Sequence, residues 1–179
     1  MQGDGTVSLG VRVVADFRNV KASTKIGLGR VTRLAIRRSG RVKKRSPSRP
    51  WKVTSAEKWP VGVVAHHLAE GHANVGGLVH LVAKAQPLPG LTLEMIHANN
   101  AKHAKEKAGV AKAETLALLK ANGEKTSALV RGLSDAELDR SASVLAGMPA
   151  MSAAQAIEGI LINHVHEHLG SIRATVGAK

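Results

Sequence analysis

Residues 157–172 read IEGILINHVHEHLGSI and carry the most informative pattern in the chain. Apolar side chains and two of the three histidines recur every three or four positions, as on one stripe of a helix. The stripe consists of Ile157, Leu161, His164, His168 and Ile172. His164 and His168 are one turn apart, so their rings are neighbours on the face expected to meet the core. His166 lies about 200° around the helix from His164 and is expected to face water.

Two imidazole rings on the inner face of one helix need partners. Each ring has two nitrogen atoms to satisfy, and two buried charges would repel each other. A shared divalent cation meets both needs, because neutral histidine is the commonest metal ligand. Two ligands are too few for a stable site, so a third is expected from another helix. The alternative interpretation is that these are hydrogen-bonded histidines of the core or surface.

A zinc peptidase is not expected from this pattern. The helix of such enzymes has a glutamate directly after its first histidine, whereas Val165 follows His164 here.

A second helix is predicted to begin after Pro60, since proline suits a first helical turn. Its apolar seam is Val61, Val64, Leu68, Gly71, Val75, Leu78 and Val82. His66 and His67 are consecutive on this helix and point about 100° apart. His67 sits beside the seam and is our choice of third ligand, while His66 points further off. The other candidates are His72, His80, His97 and His103.

The remaining helices are bounded by turn and capping signals. QPLPG at residues 86–90 ends the second helix, and another begins near Thr92 and runs to about Leu133, with an irregularity near Gly109 or Gly123. Residues 134–137 and 152–155 form capping boxes, which predict a short helix and then the last helix. The last helix is expected to end near Val176, before Gly177.

Three long helices joined by short connections predict an all-α fold, an antiparallel four-helix bundle. The fourth helix must come from residues before Trp51 or from a second subunit in a homodimer. Residues 26–38 are the one upstream candidate, and they make a poor helix because two glycines lie close together and the positive charge is unrelieved. The first helix is therefore diverged or missing.

Charge divides the 179 residues into a basic N-terminal extension, residues 1–50, and a helical domain, residues 51–179. The formal charge is +13, and residues 1–50 hold 13 basic and 2 acidic side chains, a net of +11. We expect this part to be irregular and poorly ordered. It is either an unstructured extension, which may include a start placed too early or in the wrong frame, or a nucleic-acid arm at residues 30–49, a nuclear signal or a transit segment.

Composition excludes several classes of protein. The absence of cysteine rules out disulfide scaffolds, thiolate zinc sites and cysteine nucleophiles. Aromatic residues make up 2% of the chain, too few for the stacking surfaces of proteins that bind single-stranded nucleic acid. No apolar run is long enough to span a membrane, and the first ten residues do not read as a secretory signal. We expect a cytoplasmic protein.

The chain from Trp59 to Val176 resembles the DinB-like (YfiT-like) superfamily of four-helix-bundle metalloproteins. WPVGVVAHHLAE, residues 59–70, is similar to the Trp-Ser-Val-x-x-Val-x-x-His-Leu signature of that family. HVHEHLGSIRA, residues 164–174, is similar to its His-x-x-x-His-x-x-x-Ile signature. LVRGLSDAELDRSA, residues 129–142, resembles the passage after its third helix. Residues 1–50 do not look like its first helix.

The resemblance implies a metal triad of His67, His164 and His168, because the family histidine follows the signature tryptophan by eight residues. The ion would be divalent, such as Zn, Ni, Fe or Mn. Some relatives look like transferases of low-molecular-weight thiols or thiol-dependent isomerases, and others have no established activity. Since this chain has no cysteine, a thiolate would have to arrive with a small-molecule cosubstrate.

Two classes of function follow. One is a metal-dependent transferase or hydrolase; the other is a non-catalytic, stress-associated binding bundle with a vestigial metal site. Side chains that could assist the site are Asn100, His103, Asn163 and Glu167, each with an alternative role as an ordinary polar residue. We expect Trp59 to serve packing more than a pocket.

Overall fold

The computed structural model describes residues 51–88 and 90–177. Their helices and strands are α1 (Val61–Ala83), α2 (Leu93–Glu106), α3 (Lys112–Gly132), α4 (Asp135–Asp139), β1 (Ser141–Ala142), β2 (Met151–Ser152), α5 (Ala153–Ala156), a π-helical segment (Ile157–Ile162) and α6 (Asn163–Val176). The predictions for residues 1–50, including the arm at 30–49 and the candidate helix at 26–38, lie outside the described residues.

The helix α1 lies at the centre of the described bundle and packs against both α3 and α6. Its predicted start after Pro60 is confirmed. Val63, Val64 and Val79 are fully buried, so its apolar surface is wider than the single seam predicted from spacing. A helix that is apolar on most sides is one that neighbours cover on most sides.

Contacts between α1 and α6 run in opposite directions along the two helices. Gly71 of α1 lies against His164 of α6, while Lys52, which precedes α1, donates from Nζ to the carbonyl oxygen of Thr175 (3.3 Å). The two helices are therefore antiparallel, as predicted.

The helix α3 runs parallel to α1. Asn122 Nδ2 donates to the Ala69 carbonyl oxygen (3.0 Å), and Thr126 Oγ1 donates to the His72 carbonyl oxygen (2.8 Å). The intervening α2 brings the chain back toward the start of α1, so α3 begins at the same end as α1. The single helix expected from Thr92 to Leu133 is thus two helices, with the break close to Gly109.

Two apolar clusters form the core. The larger one joins the C-terminal half of α1 and the end of α3 to α4, α5 and the π-helical segment, with Leu138, Ile157 and Leu161 fully buried. The smaller one, formed by Leu68, Ala69, Leu119 and Val165, joins the middle of α1 to α3 and α6. In contrast, α2 has no buried residue, and its Leu93 and Met95 are exposed.

The last helical segment begins and ends as its sequence predicts. Ser152 and Gln155 form both hydrogen bonds of a capping box, and Gly177 ends α6 in a left-handed conformation, with φ of 73°. The π-helical turn between Ile157 and Ile162 was not predicted. No helix among residues 51–88 and 90–177 combines the length and the apolar character needed to cross a membrane.

The capping box at Ser152 should contribute measurably to stability, because it starts the segment that carries His164 and His168. We expect Ser152→Ala to lower the free energy of unfolding by about 1 kcal/mol, since a helix N–H loses its acceptor. Ser152→Asp keeps an acceptor and should stay close to the parent. Urea unfolding followed by circular dichroism measures both variants; equal stability of Ser152→Ala and the parent would contradict the role of the cap.

Candidate metal centre

The structure brings together the three histidines chosen from the sequence. His67 comes from the second turn of α1, and His164 and His168 come from the antiparallel α6. The ring centroid of His67 is 5.0 Å from each of the other two, which are 4.5 Å apart. One nitrogen from each ring lies within 4.8 Å of the other two. That these nitrogens bind a metal ion stays a prediction.

Glu57 holds the ring of His168 in place. Its Oε1 lies 2.8 Å from His168 Nδ1, and its Oε2 accepts a hydrogen bond from Ser171 Oγ (2.6 Å). A carboxylate that accepts from Nδ1 fixes the tautomer and leaves Nε2 as the free, basic nitrogen. His168 Nε2 is therefore the atom available to a ligand of the three-histidine group.

Hydrogen bonds keep Glu57 ionised despite its environment. Burial alone raises the pKa of this carboxyl, but hydrogen bonds from Ser171, Thr54 and His168 outweigh it and lower the pKa to about 2. A permanent negative charge thus lies next to His168 at neutral pH. The sequence analysis missed Glu57; the available signal was an acidic residue two positions before Trp59, together with the rule that a ligand histidine has an acceptor for its other nitrogen.

The rings of His67 and His164 are neutral at neutral pH. Burial lowers the pKa of His67 to about 4, and the neighbouring His168 and His103 lower it further. Burial likewise lowers the pKa of His164 to about 3, with added repulsion from His168 and His67. Neutral imidazoles have a free lone pair, which is the form that binds metals.

The donor set fits a divalent transition metal. His67 Nε2 and His164 Nε2 are 3.0 Å apart, close to the separation of about 3.3 Å that two nitrogens have when each lies 2.0–2.1 Å from one tetrahedral ion. Three neutral imidazoles supported by one outer carboxylate match the pattern of open zinc sites.

Gly71 makes room for His164. A Cβ atom built on Gly71 would lie 2.4 Å from Cε1 of His164, so the ring occupies space that any other residue at position 71 would fill. The spacing analysis had placed Gly71 in the apolar seam of α1. Its structural role is a close approach between helix and ring, for which glycine is required.

The other predicted residues are distributed around the three rings. Trp59 is partly buried and lies edge-on to His67, with a centroid distance of 5.5 Å, so it packs directly against the site. Asn163 Nδ2 donates to Glu167 Oε1 (2.9 Å), and both side chains are exposed, as is His166. Asn100 is partly buried on α2.

His66 does not join the three-histidine group, as the direction of its side chain predicted. It is nevertheless 1% exposed and its Nδ1 lies 3.0 Å from Nε2 of His103 on α2. His103 also contacts His67, with ring centroids 5.4 Å apart.

A comparison of folds identifies a similar solved structure. YfiT from Bacillus subtilis, described as a probable metal-dependent hydrolase with an unusual four-helix bundle topology, superposes with a TM-score of 0.66. The match covers 95% of this chain and 94% of that one at 20% sequence identity. The chain has the YfiT fold.

This likeness confirms the predicted resemblance at the level of the fold, an all-α four-helix bundle. No protein-family model matches the chain, and no curated protein matches it.

Gly71→Ala should damage the site. The new methyl group must push the His164 ring away from α1, so we expect the affinity for Zn(II) to fall at least about tenfold, the lower range for disturbing a ligand. Gly77→Ala on the same helix is the matched control, because nothing lies within 4 Å of its Cβ position. Titration against a competing chelator measures both; equal weakening in the two variants would contradict this role of Gly71.

Glu57→Gln should weaken Zn(II) binding by about 10–100-fold, since the ring of His168 loses its charged acceptor. Glu167→Gln is the control, as this exposed carboxylate on α6 bonds to Asn163. The same chelator titration compares the two variants. Unchanged affinity in Glu57→Gln would show that Glu57 serves packing alone.

Proposed function

We propose that the chain is a metal-dependent hydrolase or transferase acting on a small-molecule substrate, with His67, His164 and His168 as the metal ligands. The observation that carries this proposal is the convergence of three neutral imidazoles from two antiparallel helices. The YfiT structure supports it as a similar fold described as a probable metal-dependent hydrolase.

Three protein ligands leave at least one coordination position for substrate or solvent, which is typical of catalytic rather than structural sites. An ion held there supplies Lewis acidity, which favours deprotonation of a water or a thiol and polarises a carbonyl or phosphoryl oxygen.

The residues of the chain position this chemistry. Glu57 orients His168 through Nδ1, and the space at Gly71 lets His164 lie against α1. The indole of Trp59 covers one side of His67 and limits the access of water from that side. Ligand rings that are held in this way need little reorganisation when substrate binds.

Hydrolysis and thiol transfer differ in the group that attacks. For hydrolysis the attacking group is water; for thiol transfer it is a thiolate supplied by a cosubstrate, because the chain has no cysteine. The other sequence predictions stay predictions: a cytoplasmic location, a homodimer, and nucleic-acid binding through residues 30–49.

The test combines metal content with activity. Elemental analysis of the metal-loaded protein should show one metal equivalent fewer in His164→Ala/His168→Ala than in the parent. His166→Ala, which changes an exposed histidine of the same helix, should keep the full content. Ester and amide hydrolysis, and transfer reactions with a low-molecular-weight thiol, should require the metal and disappear in the double variant.

Two results would contradict the proposal. Equal metal content in the double variant and the parent would remove the three-histidine site. A stoichiometric metal without turnover of any of these substrates would instead favour the non-catalytic bundle with a vestigial site.

A further inference from the structure

We propose that His66, Glu70 and His103 form a second divalent-metal site, which goes beyond the proposed function because it shares no ligand with the three-histidine group. His66 and Glu70 are one turn apart on α1, and His103 comes from the last turn of α2. One ligand atom from each residue lies within 4.8 Å of the other two.

The distances between the donor atoms suit a single ion. His66 Nδ1 lies 3.0 Å from His103 Nε2. Glu70 Oε1 lies 3.8 Å from that His66 nitrogen, and Glu70 Oε2 lies 3.5 Å from that His103 nitrogen. Ligands of one tetrahedral ion with bonds of about 2.0–2.1 Å are about 3.3 Å apart, so the measured values lie on both sides of this figure.

The chemistry of the three atoms also asks for a cation. Carboxylate oxygens only accept hydrogen bonds, and a neutral imidazole has one nitrogen that accepts. Three such atoms facing one another need something positive between them, either a proton or a metal ion. Two histidines with one carboxylate are an established ligand set for zinc and for non-haem iron.

Burial favours the metal over a simple surface ion pair. The side chains of His66 and His103 are 2% and 10% exposed, whereas Glu70 is 39% exposed. The two nitrogens are thus held in a nearly dry pocket, and the carboxylate approaches from the solvent side. This arrangement provides an entry path for the ion and leaves room for a further ligand from solvent.

A metal here would also explain how α2 is held. This helix has no buried residue, yet His103 near its end reaches both His66 and the ring of Trp59, at a centroid distance of 6.2 Å. An ion shared by α1 and α2 would fix α2 over the start of α1, next to His67. The second site is therefore placed to determine which molecules can approach the three-histidine group.

The experiment is a titration of the metal-free full chain, without added histidines, with Zn(II) at neutral pH against a chromophoric chelator. We expect two equivalents for the parent and one for Glu70→Gln and for His103→Gln. The remaining equivalent in these variants should disappear when His164→Ala/His168→Ala is added. His97→Gln, on the exposed face of α2, is the matched control and should keep two equivalents.

The outcomes separate the two sites. A second equivalent that persists in Glu70→Gln and His103→Gln, or a parent that binds one equivalent sensitive only to His164→Ala/His168→Ala, would overturn the second site and leave the proposed function standing. One equivalent lost in Glu70→Gln and His103→Gln but kept in His164→Ala/His168→Ala would establish the second site and overturn the proposed metal triad. No binding would overturn both. Circular dichroism checks folding, and the exposed Glu70 decides if His103→Gln unfolds.

Discussion

A side chain at position 71 would collide with the ring of His164, so the approach of α6 to α1 depends on the absence of a Cβ atom there. This close approach fixes the distance between the two helices at the level of the histidines. With the helices antiparallel, the ring of His67 then falls opposite both His164 and His168. The smaller apolar cluster, with Leu68 and Val165, lies directly beside it and keeps the helices together.

Around the histidines, low exposure and a few charges determine protonation. The pKa values of His67 and His164 lie well below the ordinary value because their rings are buried among other imidazoles. The two carboxylates lie at the edges, Glu57 beside His168 and Glu70 beside His66 and His103. The interior of the cluster is therefore neutral and rich in lone pairs, with negative charge at its rim, and this arrangement attracts a cation.

Local signals in the sequence were enough to predict the helices that carry the site. Pro60, the capping box at Ser152 and Gly177 act on the backbone near them, so their effect can be read without knowing the fold. The i, i+4 spacing of His164 and His168 is likewise a local property. Choosing His67 as their partner needed only the direction of its side chain relative to the seam.

Other features depend on which segments meet in the folded chain. Glu57 has no periodic pattern around it, and its importance follows from the packing of the segment before α1 against α6. The same holds for His66, whose burial is produced by α2 folding back onto α1. The parallel direction of α3 also follows from the path of α2, which spacing within either helix does not reveal.

Between Ile157 and Ile162 the backbone hydrogen bonds span five residues instead of four, so this turn holds one residue more than an α-helical turn. Shortening the segment by one residue would let it re-form as α-helix and would rotate everything after it by about 100° relative to Ser152 and its cap. The imidazoles of α6 would then no longer face α1, although every capping and core residue before them stayed in place. The wide turn thus works as an angular spacer that aims the end of the last helix.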